Sequence, residues 1–362
     1  MTAYDAWDRE YQENKDAYLK IFDDFMSQMN YENNEEWERD FSERVGRKHC
    51  VSVASATDAL HFTLLAHDIG KGDEVLVTDF SWISSSACTS MVGATPVFCD
   101  IDLDSYHISM DSVRRMYSDK VKAIIYPHLF GNITDTTELR QFCKEKNILF
   151  IEDAAQAFGS SLHGVRAGTI GDCSVYSFNS NKVIAGINGG GVVLTDNEDI
   201  AKRVKMIRRH GKDKDFSMMG YNSRMYVLNA EIINLRLRHA DRNQERRQQI
   251  AHEYNTAFAD LPVVTQGMSN GLNHNYHKYV VRFEDKDTRK RVKNAVNASV
   301  HYETPLSANS MYANLECRSD ACTASKTASD TVLSLPIHAW LTDDEISTII
   351  TTVKESFNEV SK

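Results

Sequence analysis

The sequence predicts an α/β protein: a three-layer α/β/α domain on a mostly parallel sheet, then a smaller C-terminal α+β domain. Two observations predict the large domain. Short β-rich runs alternate with helical stretches from residue 49 to 196. Those runs are continuously apolar rather than alternating, as expected of strands covered on both faces. A third observation predicts the small domain: after a long helical stretch at 226–259, the texture changes to short strands and one helix. At 362 residues the chain has ample length for two cores. We place the boundary within 250–262, so that 1–250 form the large domain and 251–362 the small one.

Residues 4–46 read as charged amphipathic helix packed on the large domain. Tyr18, Ile21, Phe22, Phe25 and Met26 fall at helical spacing, as do Trp37, Phe41 and Val45. Residues 49–54 form a strand, Ser55-Ala56-Thr57 a small-residue turn, and 58–67 a helix. Strands are expected at 75–78, 96–100, 123–126 and 148–151, with helices at 84–92, 110–117 and 136–146 between them. The runs 173–178 and 191–194 have the length and bounding of buried parallel strands. Residues 198–210 are helical, and 226–259 hold one long helix or two. Beyond them, strands are expected at 276–283 and 300–303, a helix at 287–295, and a last helix at 343–357 with Ile346, Ile349, Ile350, Val353 and Phe357 on one face.

The formal net charge of −10 disfavours a nucleic-acid binder, which carries a basic face. The arginines at 236–247 alternate with Asp241, Glu245 and apolar residues, the pattern of a solvated helix face. The seven cysteines are scattered, with no C-x-x-C pair. That fits reduced, buried thiols in a cytoplasmic protein rather than a disulfide framework. No secretory signal or membrane-length apolar run is present, so no membrane partner is expected.

Chemistry concentrates between 147 and 196. One apolar run ends in Glu152-Asp153, a second ends just before Lys182, and a third follows a triple glycine. Polar groups therefore collect past strand ends, where open α/β sheets bind ligands. A lysine amine condenses with an aldehyde cofactor, pyridoxal phosphate being the common one. Its ring nitrogen acts as an electron sink only when protonated, and a carboxylate such as Asp153 favours that form. The phosphate needs donors, which the helix start at Ala56-Thr57 and the hydroxyl of Ser177 supply. Trp82, past another strand end, offers a flat apolar partner for the ring. Gln156, one helical turn after Asp153, reaches the ring oxygen. Each residue also has a plain alternative: Asp153 as a helix cap, Lys182 as a solvated loop lysine, Trp82 as core. The set outweighs its members, because one cofactor's requirements are all met at strand ends.

From Trp37 onward the chain resembles the DegT/DnrJ/EryC1/StrS family of nucleotide-sugar aminotransferases, which have the aspartate-aminotransferase fold. The resemblance is carried by SATDALHFTLLAHDIGKGDEVLVTDFSW, IEDAAQAFGSSLHGVRAGTIGD, SFNSNK, GYNSR at 220–224, HYETPL at 301–306 and LSLPIHAWLTDDEI at 333–346. It implies that Lys182 is the lysine bonded to pyridoxal phosphate and the proton shuttle. It implies that Asp153 holds the ring nitrogen, Gln156 the ring oxygen and Trp82 the ring face. Ala56, Thr57 and Ser177 match the phosphate site. Asn222 matches a residue given to the neighbouring subunit's cofactor, which implies a homodimer with shared sites. His128, Arg208, His210, Arg224, His277 and Tyr302 are candidates to line the sugar-nucleotide site. The chain departs from the pattern at Ala56, where relatives have glycine, at Asn179-Ser180-Asn181, and at Glu303 and Ser307.

The resemblance implies transfer of an amino group from L-glutamate to a nucleotide-linked keto sugar, with the pyridoxamine form of the cofactor as carrier. The form N-K-x-I followed by glycines is closer to relatives that make 4-amino-4,6-dideoxy sugars, as in O-antigen synthesis, than to 3-amino relatives. A 3-keto sugar is the alternative. Dehydratase relatives carry histidine in place of Lys182. A non-catalytic regulatory protein would not keep Asp153, Gln156, Ser177 and Lys182 together.

Overall fold

In the computed structural model, residues 7–28, 34–266 and 269–358 are described. Positions 4–6 and 29–33 of the helical reading lie outside them. A mixed eight-stranded sheet is sandwiched between helices. Across it run the strands His49–Val53, Gly191–Thr195, Cys173–Ser177, Leu149–Asp153, Val121–Pro127, Glu74–Thr78, Thr95–Cys99 and Arg318–Ser319. Leu149–Asp153 is central, parallel to both neighbours and buried along most of its length. A strand there must be apolar on both faces, which its sequence LFI provides.

Gly191–Thr195 departs from the expected parallel run. It is antiparallel to both neighbours, with Cys173 opposite Thr195 on one side and His49 opposite Thr195 on the other. The connection from Ser177 contains no helix that would carry the chain back to the far end of the sheet. The strand therefore starts at the edge where its two neighbours finish. Its leading glycines are thereby delivered to the ligand-facing side.

The helix Ala56–Ala66 shows why this edge is rigid. Its residues Leu60, Phe62 and Leu64 are almost wholly buried against the sheet and the helix Glu198–Ile207. Each such side chain contributes about 1.5–3 kcal/mol. The helix N-terminus is thus fixed where the His49–Val53 strand ends.

The stretch 226–259 resolves into two helices, Val227–Leu237 and Ala240–Ala257. The second spans two cores: Ala240 packs with the large sheet, whereas Ile250, Ala251 and Tyr254 enter a C-terminal cluster. That cluster covers a three-stranded antiparallel sheet of Val263–Thr265, Tyr279–Phe283 and Val332–Leu335. Val332–Leu335 is a strand that periodicity did not suggest. The strand expected at 300–303 is absent: only Ser299 bridges to Ser334, and the chain then turns, carrying Tyr302 toward Phe80 and Phe130. The C-terminal segment also reaches back, since Arg318–Ser319 extends the large sheet beside Thr95–Cys99.

The N-terminal helix Trp7–Gln28 is tied down by distant partners. Glu10 pairs with Arg236 at 2.6 Å, Arg9 with Glu345 at 2.7 Å, and the Trp340 indole donates to Glu13 at 2.7 Å. Among the described residues no helix is long and apolar enough to cross a membrane. All seven cysteines are free thiols.

Candidate active site

A cavity of about 350 Å³ opens at the edge where the parallel strands finish. It brings together Ala56, Thr57, Trp82, Asp153, Gln156, Ser177 and Lys182, with His277 and Tyr302 from the C-terminal segment.

One corner is built for an anion. Ser55 caps the helix Ala56–Ala66, its hydroxyl accepting the Asp58 N–H at 3.1 Å. The first N–H groups of a helix have no intrahelical acceptor, so those of Ala56 and Thr57 remain available. The Thr57 and Ser84 hydroxyls are hydrogen-bonded at 2.7 Å. The glycine run presses against this turn. Gly190 has φ +120°, and a Cβ on Gly191 would lie 2.5 Å from the Ala56 nitrogen. Any larger side chain there would push the strand off the helix start.

The opposite end holds two charges. Asp153 is buried, and the Ala155 N–H donates to it at 3.1 Å. Burial pushes its carboxyl above the ordinary range, opposed by that N–H and by the charge of Lys182. Burial lowers the Lys182 ammonium to about 8, with Asp153 opposing. Near pH 7 about a tenth of such a lysine is neutral, far more than at its ordinary 10.5, which favours its use as a nucleophile or base.

Gln156 does not sit on a helical turn; residues 154–160 form turns. It is nevertheless fixed. Its carbonyl accepts the Phe130 N–H at 2.8 Å and its amide donates to the Tyr302 hydroxyl at 2.9 Å. Trp82, 60% exposed, stands at the cavity wall with its ring centre 6.3 Å from that of Tyr302.

Other candidates lie elsewhere. His128 is fully buried and bonded to Glu152 at 2.9 Å, away from the cavity walls. The ring of a strand-end histidine goes to whichever face its neighbours leave open, and here that face holds Glu152. Arg208 donates to the Ser52 carbonyl at 2.6 Å and pairs with Glu38. His210 is exposed, and neither cavity includes it. Asn222 and Arg224 line a separate cavity of about 350 Å³ with Arg208 and Arg209. Sequence reasoning missed Ser84, Ser85, Asn181, Lys278 and His301, which complete the walls of the main cavity. The serine run after Trp82 and the lysine beside His277 were the available signals.

Residues 9–354 match the DegT/DnrJ/EryC1/StrS aminotransferase family. The chain belongs to that family. It is 31% identical over 327 residues to a dTDP-3-amino-3,6-dideoxy-alpha-D-galactopyranose transaminase of Aneurinibacillus thermoaerophilus, covering 88% of each chain. It is also 31% identical to a GDP-perosamine synthase of Vibrio cholerae, over 89% of this chain and 90% of that one. Among solved structures it matches S. venezuelae DesV with a TM-score of 0.91 and 28% identity, over 96% of both chains. The chain is thus an aminotransferase of the nucleotide-sugar type, with the aminotransferase fold.

The family is dependent on pyridoxal phosphate, and the donor set here fits that group. The anion corner suits the phosphate. Asp153 is a buried carboxylate raised by its burial, facing the same cavity as a lysine lowered by its own.

Proposed function

We propose that this chain moves the amino group of L-glutamate to a nucleotide-linked keto-6-deoxy sugar, at C4, giving a 4-amino-4,6-dideoxyhexose for O-antigen or related glycan synthesis. The observation that carries the reading is Lys182, lowered to about 8, sharing one cavity with the buried carboxylate Asp153. Amination at C4 is supported by the sequence around Lys182. The product in the name of the Aneurinibacillus relative, a 3-amino sugar, favours C3 as the second reading.

When bound, pyridoxal phosphate supplies an electron sink for the carbon that loses or gains a proton. The chain's own residues do the rest. Lys182 takes the proton from the donor's α-carbon and, in the second half, returns one to the sugar carbon. Asp153 keeps the ring nitrogen protonated, strongly because it is buried. Ala56, Thr57 and Ser177 hold the phosphate, and Gln156 meets the ring oxygen. Trp82 covers one ring face and keeps water from it. His277 and Tyr302 bound the space left for the sugar. Asn222 and Arg224, set in their own cavity, serve the site of a neighbouring subunit in a homodimer. The exposed Met219, Tyr221 and Tyr226 beside them support that interface. The absence of disulfides among the described cysteines is compatible with a cytoplasmic setting.

The test is to load the protein with pyridoxal phosphate, add L-glutamate, and follow absorbance and 2-oxoglutarate. The product is then offered dTDP-, GDP- and UDP-linked 4-keto and 3-keto sugars. A new amine at C4 by NMR is expected. An amine at C3 alone would replace this reading by the second, and no spectral change with glutamate would refute both.

A further inference from the structure

The segment that brings His277 and Lys278 to the main cavity is not built as a strand. Between Leu272–Asn273 and Tyr279–Phe283 the chain runs irregularly, and side chains take its N–H groups. The Tyr276 N–H donates to His274 Nδ1 at 2.8 Å, and the His277 N–H donates to Asn275 Oδ1 at 2.8 Å. The second bond closes an Asx turn, in which an asparagine accepts from the backbone two residues on. Tyr276, enclosed by that turn, has φ +47°, a left-handed conformation that residues with a Cβ avoid. The turn holds it there, and the Lys278 N–H then reaches the Phe130 carbonyl at 3.3 Å.

The same asparagine reaches across to the large sheet's ligand edge. Asn275 is wholly buried. Its Nδ2 donates to the carbonyls of Gln156 and Phe158, both at 2.9 Å. Its backbone N–H donates to Ser160 Oγ at 3.0 Å, and that hydroxyl donates to the Gly131 carbonyl at 2.7 Å. Gly131 has φ +92°, and a Cβ on it would lie 1.8 Å from Asn275 Oδ1, so the glycine leaves the space that the amide fills. One buried amide thereby joins the turns at 154–160, the turn Leu129–Gly131 and the cavity end of the C-terminal segment. Gln156 is held from both sides: its own carbonyl by Asn275, and its side chain by the Phe130 N–H and the Tyr302 hydroxyl. A buried amide with its donors and acceptor all used is costly to displace and fixes one arrangement.

We propose that Asn275 is a positioning residue for the active site. It sets the place of Gln156 relative to His277 and Lys278, the wall opposite. The inference deepens the reading above, in which Gln156 meets the ring oxygen, by naming what keeps that contact in register with the C-terminal wall. The Gln156 amide gives one hydrogen to Tyr302 and carries a second for the ring oxygen. A shift of the Gln156 carbonyl would carry that second hydrogen with it, and misplacement of about 1 Å costs up to about a hundredfold in rate.

The test compares Asn275→Ala with Val292→Ala, a cavity-forming change in the C-terminal core. In the cofactor-free protein, Asn275→Ala should speed amide hydrogen exchange at Phe130, His277 and Lys278, and Val292→Ala should leave these three unchanged. With pyridoxal phosphate bound, the absorbance maximum should move in Asn275→Ala and stay in place in Val292→Ala, because the ring oxygen belongs to the chromophore. The maximal single-turnover rate with L-glutamate, per folded molecule, should fall about tenfold to a hundredfold in Asn275→Ala alone. Ser160→Ala removes only the link to Gly131 and should show the same pattern with a rate loss of about threefold, which keeps the test open if Asn275→Ala does not fold. Unchanged exchange and absorbance in the Asn275 and Ser160 variants, or equal rate losses in Val292→Ala, would overturn the positioning role. Unaltered protein that gives no spectral response to glutamate would refute the donor reading instead, and the exchange result would still decide whether Asn275 holds the two sides together.

Discussion

Glu152 and Asp153 are consecutive acids at the end of one strand, and they live in opposite surroundings. Neighbouring strand residues point to opposite faces. Glu152 accepts N–H bonds from Gly168, Ile170 and Gly171 at 2.6, 2.8 and 3.0 Å. It also accepts from the Ser174 hydroxyl at 3.0 Å and from His128 at 2.9 Å. Burial pushes its carboxyl up, yet His128 and the N–H donors hold it below the ordinary range. Asp153 has the Ala155 N–H, the charges of Lys182 and His128 and the Ser85 hydroxyl, fewer donors than Glu152, so burial wins and its carboxyl is raised. The same residue class, one position apart, is satisfied by the fold on one face and left needy on the other. The needy one faces a cavity and a lysine.

The comparison can be broken first on the cavity side. Lys182→Ala should reduce turnover by about 10⁴-fold, the upper range for a positioned acid–base. Measured as 2-oxoglutarate release per folded molecule, a small loss would mean that Lys182 is not the proton carrier. On the other face, Glu152→Gln should cost about 3 kcal/mol of folding stability by urea unfolding, because it uncouples His128 and mispairs buried N–H donors. An unchanged unfolding midpoint would show that the donor network is not holding the strand end.

A smaller effect comes with pH. Lys182 in the folded chain sits at about 8 against an ordinary 10.5. Between those values the unfolded chain holds more protons, so the stability of the cofactor-free protein should rise with pH across that window. Thermal melts from pH 8 to 10 should show the rise, and Lys182→Ala should flatten it. The smallest effect sharpens the comparison at the surface. Glu345 is lowered to about 2 by Arg9, so its contribution holds above the ordinary carboxylate range and fades as pH falls through 2. Being a part-exposed pair, Glu345→Gln should cost about 1 kcal/mol or less at pH 7 in urea titrations. A cost like that of Glu152→Gln would erase the distinction drawn here.

Much of this contrast was legible in the sequence, for a physical reason. Apolar runs ending in polar residues mark buried strands and the edge where ligands bind, and that singled out Asp153, Lys182, Ser177 and the Ala56-Thr57 turn. What stayed hidden depends on direction and facing. An apolar run reads the same in either direction, so the antiparallel course of Gly191–Thr195 was not visible. Nothing in the local pattern says which face a residue at a strand end chooses, which is why His128 was grouped with the ligand and belongs with Glu152. The residues 300–303 have strand composition, but the chain needs Tyr302 beside Gln156 and turns there instead. The small cavity on the other side of Lys182 could not be read at all, because it gathers Trp7, Arg247 and His338 from segments far apart in the chain.

The most direct measurement is Asp153→Asn, assayed for both melting temperature and the glutamate half-reaction. If Asp153 is held for the cofactor and not for the fold, the melting temperature of the cofactor-free protein should stay within about 2 °C or rise. The half-reaction rate should at the same time fall by about a thousandfold, the scale of a lost electrostatic stabiliser in a buried site. A normal rate, or a fall in melting temperature matching that of Glu152→Gln, would contradict the account.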